Sequence, residues 1–263
     1  MVVIRNNHHC HYDDSKFEYC DFWRSRKYEN SSEIIALKRF FFKIDKSIKL
    51  SSSSLLDIGA GFGRLATYYL PRVKNAVLLE PSKKLSIQAK ENLKEYDNFK
   101  ITSSSIEKRS FSREKFNIVL MIRVLHHLES PKEAFSKISD LLSPGGYLIL
   151  EYANKIHFKN LLFCFFGRFH SLLALERIDR RSKEKITSHS IPFYNYHPVW
   201  IKRELEKCGL KLIEKRSVSN LRCPLLKRIV PYFLLILTER LVQKILSRFC
   251  FGPSVFILAK KIK

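Results

Sequence analysis

The chain has 263 residues, 45% hydrophobic and 28% charged, which suits one elaborated domain with a normal core and excludes global disorder. Its 48 Lys and Arg against 25 Asp and Glu give a formal charge of +23, which favours acidic partners: nucleic acid, an anionic membrane or an acidic substrate. The cations are dispersed, densest at Arg177, Arg180, Arg181, Lys183 and Lys185, so charge alone argues only weakly for a nucleic-acid groove.

Residues 1–30 read as irregular, with aromatics at Phe17, Tyr19, Phe22, Trp23 and Tyr28. Their start, MVVIRNNHHC, turns polar too soon for a signal peptide. His8, His9, Cys10 and His11 are neighbours that would point apart, and no second ligand group follows at a usual spacing, so no metal is expected. None of the six cysteines forms a C-x-x-C pair; free thiols in a cytoplasmic protein are the simplest reading. Ser31 or Ser32 is predicted to cap a helix on which Ile34, Leu37, Phe41, Ile44 and Ile48 recur at helical spacing. A serine run at 51–54 leads into the first strand.

From there strands and helices alternate. Strands are predicted over 55–58, 76–79, 99–102, 116–122 and 147–152, with helices over 64–70, 82–96 and 131–142. Near-continuous apolar strands separated by helices predict a parallel α/β sheet covered on both faces, a doubly wound, Rossmann-like arrangement. The rhythm breaks after Asn154. An insertion over 155–196 is first apolar, then basic, and is followed by a helix over 198–208 ended by Gly209. A strand over 210–217, one or two helices over 225–249 and a strand over 254–259 suggest a late hairpin. The expected organisation is an N-terminal lid and helix (1–50), a cofactor-binding core (51–154), a cap (155–196) and the end of the core (197–263) with its helical excursion.

The first strand runs into LLDIGAGFGRLA, in which Gly59, Gly61 and Gly63 fall at every second position. Ligands of open parallel sheets sit beyond the carboxyl ends of the strands, and glycine lets them approach the backbone closely. Glu80 ends the second strand, where an acid can take both hydroxyls of a ribose. The dinucleotide fingerprint is G-x-G-x-x-G, whereas this loop is G-x-G-x-G with Arg64 in the third glycine's place. Asp57, just before the loop, suits a cationic amino group better than a pyrophosphate.

LLDIGAGFGRLA, Glu80, FNIVLMIRVLHHLESPKEAF and LLSPGGYLILEY together resemble the successive motifs of class I S-adenosylmethionine-dependent methyltransferases, covering roughly residues 50–155. HPVWIKRELEKCGLKLIEKRSV and SVFILAK are similar to that family's closing helix and hairpin. The resemblance implies a seven-stranded sheet with the last strand antiparallel, and S-adenosyl-L-methionine as cofactor. It implies that Asp57 and the backbone of Gly59, Ala60, Gly61 and Gly63 hold the methionine part. Glu80, with Pro81 beside it, would take the ribose. Ser105 and the backbone of Ile106 stand where the family usually has an acid for the adenine amino group, and Arg123 would line the cleft. Asn117 replaces a frequent aspartate and is expected to position backbone.

Methyl transfer from a sulfonium is a displacement in which the protein aligns the nucleophile and excludes water. His126 and His127, after the fourth strand, are the candidates for proton transfer, against a purely structural role. Tyr28, His157, Tyr194 and His197 are the candidate substrate contacts, with Glu151 a further polar candidate and Trp23, Arg24 and Tyr28 a candidate lid. Two segments, 160–175 and 225–249, are apolar on one side. They either cap a greasy pocket with their apolar faces together or lie on an anionic membrane. A small, hydrophobic or lipid-like acceptor is therefore expected. An RNA or protein substrate is favoured only by the charge, and I-R-V-L stands where a planar-nitrogen enzyme would carry N-P-P-Y. A non-catalytic binding protein and a nicotinamide oxidoreductase are the remaining readings; oligomeric state is open.

Overall fold

The computed structural model describes residues 11–13, 18–109, 111, 114–164, 174–187 and 190–262. His8, His9, Cys10 and Phe17, and positions 165–173 of the insertion, lie outside them.

Seven strands form one sheet: β1 (Ser54–Ile58), β2 (Asn75–Leu79), β3 (Phe99–Thr102), β4 (Phe116–Met121), β5 (Leu142–Ala153), β8 (Leu210–Val218) and β9 (Ser254–Lys261). Their order is β3-β2-β1-β4-β5-β9-β8. β1 pairs in parallel with β2 and β4, β2 with β3 and β4 with β5, whereas β9 runs antiparallel to both β5 and β8. β9 alone is thus reversed, as the resemblance implied. The central strands are buried on both faces, with Leu55, Leu56, Val119 and Leu120 at 0% exposure. This explains why they read as unbroken apolar runs.

Helices cover both faces. On one side lie α5 (Pro131–Leu141) and α8 (Pro198–Lys207), packed through Phe135, Ile138, Ile201 and Leu205; on the other lies α2 (Lys27–Asp45), packed through Leu37, Phe40, Phe41 and Ile44. Asn117 accepts from the Ser54 amide at 2.9 Å, which ties the starts of β4 and β1 together.

Several boundaries move for physical reasons. α2 is entered four or five residues before the expected caps and is preceded by α1 (Tyr19–Arg24). Ser32 is buried inside α2, its hydroxyl donating to the Tyr28 carbonyl at 2.8 Å, so neither Ser31 nor Ser32 is a cap. The helix expected over 64–70 shrinks to α3 (Ala66–Tyr69), with Pro71 in a 3-10 turn; Gly63 at φ 82° and Arg64, which turns back to α2, still belong to the loop. α4 (Lys83–Asn92) starts where expected, with the Ser82 hydroxyl accepting from the Leu85 amide, but ends early at Leu93.

Within the insertion, α6 (Phe158–Cys164) is followed, after the gap, by β6 (Ile178–Asp179), α7 (Lys183–Thr187) and β7 (Tyr194–Asn195), with β6 and β7 paired as a separate two-stranded ribbon. The buried ammonium of Lys155 donates to the carbonyls of Ala174 and Glu176 at 2.6 and 2.8 Å, pinning the returning chain. The excursion between β8 and β9 is two helices, α9 (Pro224–Ile229) and α10 (Tyr232–Leu246), broken at Pro231.

Candidate active site

A cleft of about 710 Å³ opens at the carboxyl ends of β1, β2 and β4. This volume is in the usual range for a cofactor or drug-sized ligand. Asp57, Gly59, Ala60, Gly61, Glu80, Pro81, Ser105, Ile106, Arg123 and His127 all line it.

The glycine loop is built around positive φ angles, 73° at Gly59, 60° at Gly61 and 82° at Gly63. The three glycines differ in what a side chain would meet. At Gly61 a Cβ would face the cleft, with Tyr19 at 3.6 Å as its nearest neighbour. At Gly59 it would sit 2.2 Å from Val124 Cγ2, and at Gly63 2.8 Å from Leu93 Cδ1. Gly63 is not among the residues lining the cleft; it closes the loop against α4. Gly59→Ala is expected to destabilise the fold by about 2–4 kcal/mol, combining the left-handed backbone with overpacking. Adding Val124→Ala should return only the steric share, which denaturant unfolding of the single and double variants will show.

Two buried carboxyls face this loop. Glu80 Oε2 accepts from the Gly61 amide at 2.8 Å and Oε1 from the Ser82 amide at 2.9 Å, so the acid is locked to the loop it serves. Burial pushes its carboxyl up to about 7, against those two hydrogen bonds. Asp57 Oδ2 accepts from the Tyr69 hydroxyl at 2.7 Å, and burial pushes Asp57 up to about 6. An amino group or a sugar hydroxyl brought into the cleft meets these two acids at its floor.

A third acid was not singled out as a site residue by the sequence. Glu33 of α2, fully buried, accepts from Arg64 Nη2 at 2.6 Å and from Arg123 Nε and Nη2 at 2.7 and 2.5 Å. Both arginines line the cleft. The Trp23 ring lies under the Arg64 guanidinium at 3.6 Å. Arg123 sits at φ 64°, uncommon outside glycine, and its amide donates to Glu151 Oε2 at 2.9 Å. Glu151 in turn accepts from the Ser254 hydroxyl. It is therefore a backbone anchor, not a group in the cleft. Trp23 does not itself line the cleft but packs against Arg64, which does, whereas Arg24 is exposed and paired with Asp21.

Ser103, Ser104, Ser105 and Ile106 line a further part of the cleft. Ser105 Oγ accepts from the Lys108 amide at 3.3 Å, which turns the chain there.

The two histidines have different places. His127 lines the cleft; its Nδ1 donates to the Pro192 carbonyl at 2.7 Å, and its Nε2 lies 3.2 Å from the Tyr12 hydroxyl. His126 is buried behind it against His127 and Phe193, with ring centroids at 4.1 and 4.6 Å. Burial, with His127 and Arg123 nearby, holds His126 well below the usual range, so it stays neutral.

The substrate candidates are not gathered at the cleft. Tyr28 is buried, donating to Glu239 Oε2 at 2.6 Å and accepting from the Leu221 amide at 2.9 Å. His197 caps α8, its Nδ1 accepting from the Val199 amide. Tyr194 lies under Arg177 at 3.8 Å in β7. His157 is half-buried before α6, and burial together with Arg180, Lys159 and Arg222 pushes it down to about 4. Tyr12 and Tyr19 instead border the cleft. Their distance in sequence from every motif left no signal to find them by.

Residues 56–150 match the family described as "Methyltransferase domain". A ubiquinone biosynthesis O-methyltransferase of Dechloromonas aromatica (strain RCB) is 28% identical over 142 residues, which is 51% of this chain and 58% of that protein. The chain thus spans little more than half the length of this curated relative. Among solved structures, a Listeria monocytogenes protein assigned to the S-adenosylmethionine-dependent methyltransferases superposes with a TM-score of 0.63 at 15% identity, covering 90% of this chain and 100% of that one. An S-adenosylmethionine-dependent methyltransferase of Mesorhizobium loti does so with a TM-score of 0.61 at 14% identity, covering 87% and 97%. The motif order, the strand order and the matched domain agree: residues 56–150 match a methyltransferase domain, set in the fold shared with S-adenosylmethionine-dependent methyltransferases.

Proposed function

We propose that this protein transfers a methyl group from S-adenosyl-L-methionine to a small, hydrophobic acceptor. The observation that carries the reading is the pairing of Glu80 with the glycine loop. A buried carboxyl, fixed by the Gly61 and Ser82 amides, stands at the end of β2 beside a backbone that only a glycine leaves open at position 61. That cradle fits a ribose on Glu80 and an amino group on Asp57, and the serine-lined end of the cleft fits a base. When bound, the cofactor supplies an activated methyl on a sulfonium. The chain's own part is to hold the two partners in line and to shield them from water. His127, which lines the cleft and gives its Nδ1 hydrogen to the Pro192 carbonyl, is the side chain whose neutral form would take a proton from a hydroxyl acceptor at Nε2. His126, buried behind it, keeps the His127 ring in place. The acceptor class is supported by the apolar part of the cleft wall, Ile106, Val124, Leu128 and Ile191, and by the sequence likeness to an enzyme of ubiquinone biosynthesis.

Calorimetric titration with S-adenosyl-L-methionine tests this reading. Ribose hydroxyls donate to the ionised form of Glu80, which burial holds at about 7 in the free protein, so binding displaces a proton. Affinity is therefore expected to fall as the pH drops, by about tenfold between pH 8 and pH 6. Glu80→Gln should bind more weakly at pH 8 and lose most of that dependence. No heat of binding at either pH would overturn the reading.

A further inference from the structure

The α9–α10 excursion is turned inside out. In α10 the polar residues Glu239 and Gln243 are buried at 0% exposure, with Ser247 just beyond them also buried. The apolar side faces outward. Leu225, Ile229, Phe233, Leu237, Leu241, Ile245 and Phe249 recur at every fourth residue, each 51–69% exposed. Such spacing places the four within α10 in one stripe along the helix. The inward side is held by specific bonds. Glu239 accepts from the Tyr28 hydroxyl, the Ser219 and Asn220 amides and the Gln243 side chain, and Gln243 also donates to the Ser32 carbonyl at 2.9 Å. Rotating the helix to hide its leucines would break all of these.

Cations fringe the stripe. Arg228, Arg240, Lys244 and Arg248 are exposed, and none of them forms an ion pair with a described residue. Between residues 222 and 250 the only acid is Glu239, and it is buried. The apolar patch continues onto α6, where Phe158 stacks on Phe251 at 4.7 Å and Leu161 and Leu162 are exposed. Among the described residues no helix is long and apolar enough to cross a membrane.

We infer that the α9–α10 face docks in the plane of an anionic membrane, its leucine and phenylalanine stripe in the acyl–headgroup boundary and its arginines and lysine on acidic headgroups. An exposed apolar stripe fringed by uncompensated cations is what an interfacial helix requires. The same charges disfavour a second copy of this chain as occupant, since an isologous contact would set the four cations against their own symmetry mates. The helix is also well placed for delivery of an apolar acceptor. Tyr232, in its first turn, bonds Ser31 and borders a smaller cavity that shares Phe62 and Arg64 with the main cleft.

Sedimentation of the full chain with vesicles tests the inference without reference to activity, so it can fail while the methyltransferase reading stands. Vesicles of phosphatidylcholine alone are compared with vesicles carrying about one third phosphatidylglycerol, at low and high salt. The chain should pellet with the anionic vesicles and be released by salt. Substituting Phe233→Ser, Leu237→Gln and Leu241→Gln together should weaken partitioning by more than about a hundredfold. Arg240→Gln with Lys244→Gln should weaken it by about thirtyfold. These side chains are all exposed, so circular dichroism should be unchanged. Equal recovery in the supernatant with both vesicle types overturns the inference. So does a dimer in solution that the triple variant converts to a monomer, because the face would then be covered by a second copy.

Discussion

Replacing Glu33 by alanine is expected to lower the unfolding free energy by about 3–5 kcal/mol, because it leaves two guanidinium groups facing each other without their shared counter-charge. The Arg64 and Arg123 side chains are only 14 and 25% exposed, so water does little to replace the lost carboxylate. The loss should also be local to the site. Trp23 packs under Arg64 at 3.6 Å, and the chain's other tryptophan, Trp200, stacks on Tyr196 elsewhere. Tryptophan fluorescence in a Trp200→Phe background will therefore report whether the wall of the cleft loosens before the sheet unfolds. A Glu33→Ala protein as stable as the parent would mean that the two arginines find other partners.

The pH dependence of that effect has a definite sign. Burial alone would raise the Glu33 carboxyl, but the charges of Arg123 and Arg64 overcome it and hold it below the usual range. Its contribution is thus fully present above the unfolded carboxyl's pKa and is lost as the pH falls through the lower folded value. The stability gap between parent and Glu33→Gln should narrow in acid. Asp57 and Glu80 act in the opposite direction. Their folded values, about 6 and about 7, lie above those of the unfolded chain, so the ligand-free protein loses stability as the pH rises past each. Two cleft carboxyls whose charged forms burial disfavours are a standing cost to the stability of the ligand-free protein.

Glu239→Ala is the second large effect, at about 3 kcal/mol or more, since it strands several buried donors at once. The Tyr28 hydroxyl and the Ser219 and Asn220 amides would all lose their acceptor. Glutamine is not a remedy: its amide nitrogen would face one of those N–H donors. Hydrogen exchange should show amides of α10 opening in Glu239→Ala while those of β1 and β4 stay protected. Uniform opening of the whole chain would instead mean that the excursion and the sheet unfold as one unit.

Much of the core was legible because its signals are local. The strands of the parallel sheet are short apolar runs, Ser82 and Pro131 mark helix starts, and Gly59, Gly61 and Gly63 mark a loop with left-handed backbone, which the φ angles bear out. The lining residues taken from those motifs meet at one cleft because they all end strands that point the same way. Residues chosen by chemical type, away from a motif, fared differently. Tyr28, His157, Tyr194 and His197 have polar groups that could serve a substrate, but three of them serve the fold, and the sequence carries no local mark of that use. Tyr28 is bonded to a carboxylate 211 positions away.

The alternation of strands and helices and the glycine loop followed from the sequence through periodicity and turn chemistry, and the reversal of the last strand through family-like motifs, whereas the order of the strands came from the tertiary structure. Only the tertiary structure decided which side of α10 faces the protein. Its periodicity has an apolar stripe that the sequence left open to either a cap or a membrane. Glu239 meets donors from α2 and from the turn after β8 that no window of neighbouring residues contains. Leaving those donors and that carboxylate without partners would cost more than leaving leucines in contact with solvent. The long-range bonds won, and they left the greasy side of the helix outside.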